Sequence, residues 1–410
     1  MNTTKFLSMF CVGIGTLLFL QHFYTKSQIN SQNVIEKANI QPQTVASKST
    51  LKSTPKAQES QPKIDQAKSK KLTDTAKFLA GIKVDSNSTL AKFQKSDSWV
   101  RHNEFFQNSW SKLENRQLKK VRKWSRQELK VINATNPEIF YPFSGPDILY
   151  AYSLFPKAKE YVMVGLEPAG NVSDLAKLSD GQRDWKLQEV RSSLYAILQF
   201  SFFMTNNMKV DFKKYGVLPI LYVFLARTNN RILDVQNIGM DKNANIKPFE
   251  KGMIRGVKIA FVPQEESQAR TLYYFSTDLS NEGLKQRPEF SKFIKKSDKK
   301  VTYLKAASYL MHAGNFSAIR NLILDESTHI LQDDSGMPLK AFDKSEWDLK
   351  FYGAYNGPIA LFSNSYQGDL KSVYRKGKNI KPLNFGIGYK FGVNDSNLML
   401  AETKNLSTSR

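Results

Sequence analysis

The chain begins with an apolar segment, Phe6 to Tyr24, that contains no charged residue. About 20 such residues are enough to cross a bilayer as a helix. A cleaved secretory signal is the alternative, because its apolar region is usually about 7–15 residues long and Phe6 to Leu20 fits that length. However, Gln21 and the residues after it do not form a small-residue cleavage site. The pattern therefore favours an uncleaved transmembrane anchor over residues 1–24.

Polar residues dominate the next segment, residues 25–76, which is rich in Gln, Ser, Thr and Lys and has no aromatic residue. Such a composition buries too little apolar surface to offset the entropy that folding costs. It predicts a disordered tether between the anchor and a folded domain. A solvated, charged helix from about Ala67 to Leu79 is the alternative.

Apolar residues then recur at steps of three and four over residues 99–131, which predicts a long amphipathic helix. The predicted apolar face consists of Phe106, Trp110, Leu113, Val121 and Trp124. The opposite face is basic and carries Lys112, Arg116, Lys119, Arg122, Lys123 and Arg126. A basic face of this kind is typical of the solvent side of a helix that packs on a core. Contact with a membrane or with nucleic acid is the alternative.

Segments of strand and helix length alternate along the rest of the chain. The predicted strands are Ile139–Phe143, Tyr161–Glu167, Arg231–Met240, Gly256–Pro263, Arg270–Asp278, His329–Asp334, Ile359–Phe362, Phe385–Tyr389 and Leu398–Ala401. The predicted helices are Asp147–Phe155, Arg183–Met204, Tyr303–His312 and Phe316–Asp325. Leu218–Ala226 is apolar throughout, so its pattern fits a buried helix or a strand. The alternation predicts one Rossmann-like α/β domain of three layers over residues 95–405, with Val257–Val262 and Leu272–Thr277 as an inserted or appended β-hairpin.

Composition narrows the range of partners and chemistries. The formal net charge is +23, but the lysines are spread along the whole chain and no RNA-binding signature of arginines and aromatics is present. This disfavours nucleic acid and leaves anionic lipid or an envelope ligand as candidate partners. Cys11 is the only cysteine and lies in the predicted anchor, which excludes disulfides and thiolate chemistry from the rest of the chain. Histidines at metal-ligand spacing do not occur, so no metal site is predicted.

The location of the domain follows from the short segment before the predicted anchor. Lys5 lies on one side of the apolar segment and Lys26 on the other, so the charge bias that sets orientation is weak. A very short N-terminus usually stays in the cytosol. We therefore expect a single-pass protein of the inner membrane, with the residues after 25 in the periplasm or an equivalent compartment.

One turn of the predicted sheet has the layout of a cofactor site. Strand Ile139–Phe143 leads into SGPD, residues 144–147, and the next strand ends at Glu167, about 20 residues further on. In such folds a glycine lets the cofactor approach the backbone, and the acidic residue accepts hydrogen bonds from ribose hydroxyls. This opening is similar to that of the Rossmann-like class I methyltransferases, which implies an S-adenosylmethionine site at Gly145, Asp147 and Glu167. The turn has one glycine rather than two or three, and an aspartate after a proline also fits a simple helix start.

The second candidate site is the polar stretch LDESTHILQDDSGMP, residues 324–338. If its beginning is helical, Asp325 and His329 share a helix face, and a histidine oriented by a carboxylate can act as a base or a metal ligand. Asp333 and Asp334 could bind a hard cation. We therefore predict His329, Asp333 and Asp334 as candidate catalytic residues, close to the first site at one edge of the sheet. A polar turn closed by a glycine and a proline is the alternative.

Four motifs, YPFSGPD, LEPAG, YLMHAGNFS and QDDSGMP, resemble those of a bacterial family of anchored or exported proteins without an assigned activity. The resemblance covers most of residues 99–402 and implies no particular reaction or cofactor. The leading hypothesis is a membrane-anchored envelope protein whose extracytoplasmic α/β domain binds or processes an envelope ligand. The alternative is a membrane-tethered, Rossmann-like transferase that faces the cytosol and uses S-adenosylmethionine.

Overall fold

A ten-stranded sheet runs through the computed structural model, which describes residues 65–203, 216–377 and 379–404. In chain order the strands are β1 (Glu138–Tyr141), β2 (Glu160–Gly165), β3 (Asn230–Met240), β4 (Ile246–Pro248), β5 (Ile254–Pro263), β6 (Arg270–Ser276), β7 (Lys300–Leu304), β8 (Ser327–Gln332), β9 (Trp347–Gly353) and β10 (Asn397–Thr403). The helices are α1 (Gln66–Leu79), α2 (Asp97–Leu113), α3 (Lys119–Glu128), α4 (Lys130–Ala134), α5 (Ile148–Leu154), α6 (Asp180–Phe200), α7 (Leu218–Arg227), α8 (Asn281–Gln286), α9 (Pro288–Lys295), α10 (Ser317–Glu326) and α11 (Gly368–Lys376). All of them belong to one compact unit that begins at Asp65.

The strands are arranged in the order β4-β3-β5-β6-β2-β1-β7-β8-β10-β9. The five central strands, from β6 to β8, run parallel, and antiparallel strands extend both edges. From β1 the parallel strands are added on one side as β2 and β6 and then on the other side as β7 and β8. The direction of strand addition therefore reverses between β1 and β7. In open α/β sheets, ligands bind beyond the carboxyl ends of the strands at such a reversal.

Helices cover both faces of the central strands. On β1, Ile139 and Tyr141 belong to one apolar cluster and Phe140 belongs to the other. The first cluster includes residues from α1 to α7, and the second includes residues of α8, α9 and α10. Parallel strands that are buried on both faces need nearly continuous apolar sequence, as in Tyr161 to Val164 of β2. The prediction of an α/β fold is confirmed at this level.

The antiparallel strands of one edge are an insertion between β2 and β6. The predicted pairing of Val257–Val262 with Leu272–Thr277 is confirmed, since β5 and β6 are antiparallel neighbours with Ile259 opposite Leu272. β3 pairs with β5, and β4 pairs with β3 at the end of the sheet. Leu218–Ala226, which the pattern left open, lies in helix α7. Its residues are apolar on all sides because nearly the whole helix is buried.

The long helix predicted over residues 99–131 is present as α2 and α3, joined by a π-helical turn at Glu114–Leu118. The side chain of Ser96 caps it by accepting the N–H of Trp99 at 3.3 Å. Most of its apolar face is buried, with Phe106, Leu113 and Val121 at 0% exposure, and Trp110 is partly buried. Gln117, the polar residue that interrupts this face, is also buried, and its Nε2 donates to the carbonyl of Gly386. A hydrogen bond in the interior therefore accounts for the polar gap in the pattern.

The predicted N-terminal segments lie mostly outside the described residues, including the anchor over residues 1–24. Among the described residues, no helix is long and apolar enough to cross a membrane. The prediction of a disordered tether is wrong for residues 66–76, which form most of α1. The hydroxyls of Ser69 and Thr73 donate to the carbonyl of Ile232 at 2.8 and 3.3 Å. Polar contacts therefore help to fix α1 to β3, and hydrophobic periodicity does not reveal such contacts.

Three further predictions are wrong. Tyr303–His312 is not one helix, because β7 ends at Leu304 and a short 3₁₀-helix follows at Ala307–His312. Ala306 takes a positive φ of 59° between them, so the chain turns where the apolar pattern continues. Ile359–Phe362 and Phe385–Tyr389 form no strand of the sheet, whereas Leu398–Ala401 lies in β10 as predicted.

Candidate functional site

The loops that follow the parallel strands bring charged side chains to one edge of the sheet. Asp147 follows β1, Glu167 follows β2, Lys305 follows β7, and Asp333 and Asp334 follow β8. The carboxyl ends of parallel strands meet at one edge, so these residues are drawn together from distant parts of the chain. We call four of them the buried charge cluster: Asp147, Lys305, Asp333 and Asp334.

Lys305 is the central member of the buried charge cluster. Its ammonium group forms an ion pair with the carboxylate of Asp147, and both side chains are 3% exposed. The same Nζ donates to the carbonyl of Ser201 at 2.8 Å and lies 3.9 Å from the centre of the Tyr150 ring. Burial lowers the pKa of Lys305, and the neighbouring carboxylates oppose that change. One buried cation therefore connects β7 to the turn after β1 and to the end of α6.

Both carboxylate oxygens of Asp147 have partners. Oδ1 accepts the N–H of Tyr150 at 3.2 Å and so caps α5. Oδ2 accepts the Tyr141 hydroxyl at 3.0 Å and also pairs with Lys305. Burial raises the pKa of Asp147, and the charge of Lys305 opposes this. The helix start that the sequence left as an alternative is present, and it is combined with a buried ion pair.

The turn at residues 144–147 uses its backbone donors within the protein. The N–H groups of Ser144 and Gly145 donate to the carbonyl of Val164 at 2.9 and 3.3 Å. Gly145 has a left-handed φ of 51°. A Cβ on Gly165 would lie only 3.2 Å from the Cα of Gly145, so the two backbones meet at a contact between glycines. The turn is therefore packed on the end of β2.

Glu167 lies just beyond β2 and is half-buried. The hydroxyl of Tyr274 on β6 donates to its carbonyl at 2.9 Å and lies 3.5 Å from its carboxylate. This contact between Tyr274 and Glu167 requires a glycine at position 165. A Cβ on Gly165 would lie 2.5 Å from the Tyr274 hydroxyl and 2.7 Å from Oε2 of Glu167. Burial raises the pKa of Tyr274, so its hydroxyl stays protonated and can donate. Glu167 is thus held at the rim of the edge, next to Leu166, which is 72% exposed.

Asp333 and Asp334 begin the turn after β8, and both are buried. Asp333 accepts the N–H groups of Ser335 and Ala306 at 3.0 and 3.3 Å, and the Ser335 hydroxyl also donates to it. Burial and the adjacent charge of Asp334 raise the pKa of Asp333 to about 7. A carboxyl group whose pKa is raised toward neutrality is the kind of group that general acid–base chemistry requires.

Asp334 is fixed by a separate set of donors. The Tyr309 hydroxyl donates to Oδ2, and Nδ2 of Asn397 donates to Oδ1 at 3.2 Å. Burial raises the pKa of Asp334. A cavity of about 10 Å³ adjoins the side chain, which is room for about one water molecule. In the part of the chain that the structure describes, no group of three or more ligating side chains could hold a metal ion.

A glycine-rich turn, residues 386–392, packs against the buried charge cluster. Gly388 has a positive φ of 60°, and a Cβ there would lie 2.1 Å from Oδ2 of Asp333. The neighbouring Tyr389 joins a group of aromatic side chains. Three rings have centroids 4.8 to 6.2 Å from its own: Phe202, Tyr309 and Phe362. The turn therefore lies against the carboxylate of Asp333, which also interacts electrostatically with Tyr309 and Tyr389.

His329 does not belong to the buried charge cluster. It lies within β8, whereas Asp333 lies beyond the end of that strand, and four residues of strand span about 13 Å. Nε2 of His329 lies 3.5 Å from Oε1 of Glu402 on β10. Asp325 lies at the end of α10, so the predicted helix face that it would share with His329 is not formed. The structure therefore separates His329 from the two aspartates that were predicted to act with it.

The two predicted regions nevertheless meet at Lys305, which pairs with Asp147 and interacts electrostatically with Asp333. Lys305 was not predicted as a site residue, because it lies within the predicted helix Tyr303–His312. The signal was available, since Lys305 directly follows a buried strand that belongs to a parallel sheet. A strand that ends at Leu304 would have put the lysine at the same edge as the two aspartates.

The chain matches no family model and no curated protein. The motif resemblances to a family of exported proteins and to class I methyltransferases therefore stay predictions.

Proposed function

We propose that this chain is a membrane-anchored envelope protein whose α/β domain binds an envelope ligand at the carboxyl edge of its parallel strands. The observation that carries the proposal is the convergence of Asp147, Glu167, Lys305 and Asp333 from four strands on that edge. Burying charges costs free energy that a well-packed apolar core would not cost. Groups of side chains with strongly shifted pKa values are concentrated at functional sites.

Glu167 is the residue of this edge that a ligand would contact, and the buried charge cluster would position it. The turn at residues 144–147 is held by Lys305 through Asp147, and it packs on Val164 at the end of β2. The carboxylate of Glu167 can accept hydrogen bonds from hydroxyl groups, and the exposed Leu166 offers an apolar contact next to it. This combination suits a small ligand that has both hydroxyl and apolar groups, such as an envelope saccharide.

The proposed location predicts a topology result. In spheroplasts, added protease is expected to cut the full-length chain between residues 25 and 64, because that segment would lie outside the inner membrane. The product would be a resistant fragment that begins near Asp65, where the compact unit starts. Protection of the chain until the membrane is lysed would place the domain in the cytosol and contradict this part of the proposal.

A membrane-tethered transferase of the Rossmann-like methyltransferase kind is the second candidate. The parallel strands follow the order 3-2-1-4-5 of doubly wound folds, if β6, β7 and β8 are counted as the third, fourth and fifth parallel strands. Glu167 follows the second strand, where the acidic residue of such folds contacts ribose. The turn itself argues against this candidate. Gly145 N–H already donates to Val164, and Asp147 is already paired.

Two probes separate these candidates in thermal-shift measurements on residues 65–410. A disaccharide of N-acetylglucosamine and N-acetylmuramic acid is expected to raise the Tm, because it combines hydroxyl with apolar groups. S-adenosylmethionine is expected to leave the Tm unchanged, because the donors of the turn are occupied. Glu167→Ala should abolish the shift, and Glu104→Ala, a change at an exposed site on α2, should keep it. A shift with S-adenosylmethionine that Glu167→Ala removes would establish the transferase instead.

A further inference from the structure

A row of cations follows the solvent side of α2 and α3 into α4, and we call it the basic ridge. Its six members are exposed and recur at steps of four and three residues: Lys112, Arg116, Lys119, Lys123, Arg126 and Lys130. At about 1.5 Å per residue the row is about 27 Å long. No acidic residue is among the exposed positions between its two ends.

The acidic residues of this segment are turned toward other partners. Glu114 pairs with Arg122, and Glu128 pairs with Lys381 and accepts the Tyr352 hydroxyl. None of the six ridge cations forms an ion pair with a residue that the structure describes. On α1, in contrast, three of the four lysines are paired with aspartates: Lys68, Lys70 and Lys71. The ridge is therefore a continuous positive surface whose charge is not neutralised by the domain itself.

A partner could contact these helices only through their charged, solvent-facing side. On the apolar side of the same helix, Phe106, Leu113 and Val121 are fully buried in the core. Insertion of a helix into a bilayer requires a wide, exposed apolar face. The exposed large apolar side chains of these helices, Val100 and Val131, are instead far apart. A row of about 27 Å is too long for one small anion and fits an extended array of negative charges.

The geometry points to the basic ridge as a docking surface for anionic lipid headgroups. This inference rests on the proposed function, because the proposed anchor would keep the domain close to a membrane surface. A tethered domain needs only weak attraction to stay docked, since its effective concentration at the surface is high. Docking would orient the domain on the membrane and so fix the direction that the carboxyl edge faces.

Vesicle binding by residues 65–410 tests this surface without the anchor. The fragment contains both apolar clusters and forms one compact unit. It should sediment with vesicles of phosphatidylglycerol and phosphatidylcholine and not with phosphatidylcholine alone, and binding should weaken as salt rises above about 0.1 M. Replacing Lys119, Lys123 and Arg126 together by glutamine should weaken binding on the order of 100-fold. Each cation near an anionic membrane surface contributes about 1 kcal/mol of binding free energy.

A matched variant separates the ridge from net charge. Replacing Lys285, Lys292 and Lys295 by glutamine removes the same charge from exposed sites on α8 and α9, which cover the other face of the sheet. This variant should bind vesicles nearly as tightly as the wild type. Equal losses in both variants would show that only net charge matters and would overturn the proposal. Binding of duplex DNA that depends on the ridge, without vesicle binding, would assign the surface to nucleic acid. The fragment lacks the anchor, so neither result depends on the topology experiment.

Discussion

Replacing Lys305 by methionine is expected to lower the free energy of unfolding by about 3–5 kcal/mol, the usual cost of removing one partner of a buried ion pair. Methionine fills a similar volume but leaves the carboxylate of Asp147 buried, and among the described residues it keeps only the Tyr141 hydroxyl and the Tyr150 N–H as partners. The carbonyl of Ser201 also loses its donor. Urea unfolding followed by circular dichroism measures the change.

Two further variants show whether the loss comes from the buried charge. Adding Asp147→Asn to Lys305→Met removes the unpaired carboxylate and keeps the cap of α5, so the double variant should be more stable than the single one. Lys159→Met is the matched control, because Lys159 pairs with Glu138 at 3.0 Å but is 46% exposed. Its cost should stay below about 1 kcal/mol. If Lys305→Met lowers the free energy of unfolding no more than Lys159→Met does, the buried ion pair stabilises the protein no more than a surface ion pair does.

The central strands could be predicted because their burial leaves a direct trace in the sequence. β1 and β2 lie within two residues of the predicted Ile139–Phe143 and Tyr161–Glu167. Strands covered by helices on both faces must be apolar at almost every position, and the turn residues between them mark where they end. β6 was recognised by a different pattern, because the predicted Arg270–Asp278 alternates and consists largely of residues that favour strands.

The site could be predicted only in part, because its contacts join residues that are far apart in the chain. The acidic residues after β1, β2 and β8 were visible as polar residues at the ends of apolar strands. Their partners were not. Lys305 contacts Ser201, which is 104 residues away, and Gly388 lies against Asp333 because of the path of the turn at residues 386–392. Local pattern indicates pairing between strands that are close in the chain, such as β5 and β6, but not contacts between residues this far apart.

The arrangement suggests a division of roles between the rim and the interior. Glu167 lies at the rim, where a ligand can reach it, and the buried charge cluster lies behind the loops. Lys305 holds the turn after β1, and Asp333 packs against the glycine-rich turn. A change in the protonation of the cluster would therefore act on the loops that form the edge. This makes the titration of Asp333 the most informative property of the site.

Asp333 is expected to make the chain less stable as the pH rises from about 4 to about 7. Its pKa is raised to about 7 in the folded protein, by burial and by Asp334, from an ordinary value of 3.8. Between these two values the folded state holds a proton that the unfolded state has lost. The free energy of unfolding then falls with pH, by up to about 1.4 kcal/mol per pH unit. The stabilisation by the proton on Asp333 is fully present below the pKa of the unfolded state. It is lost as the pH rises through the pKa of the folded state.

Other buried groups titrate in the same range, so the comparison must be between variants. Burial and the charge of Glu138 raise the pKa of Glu160 to about 7, which acts in the same direction as Asp333. Burial lowers the pKa of His102 to about 3 and that of His312 to about 4, which makes the chain more stable as the pH rises toward 6.5. These contributions cancel in the difference between the wild type and Asp333→Asn. That difference should fall steadily with pH.

Asp334→Asn is the control that identifies the cause of the shift. It removes the charge next to Asp333 and keeps a side chain of the same size, so the pKa of Asp333 should move down toward its ordinary value. The loss of stability with pH should then end below pH 7. Urea unfolding at a series of pH values gives all three profiles. Parallel profiles for the wild type and Asp333→Asn would mean that Asp333 is already ionised at low pH, held by the N–H groups of Ser335 and Ala306. The site would then be a fixed anionic centre with no proton to exchange near neutral pH.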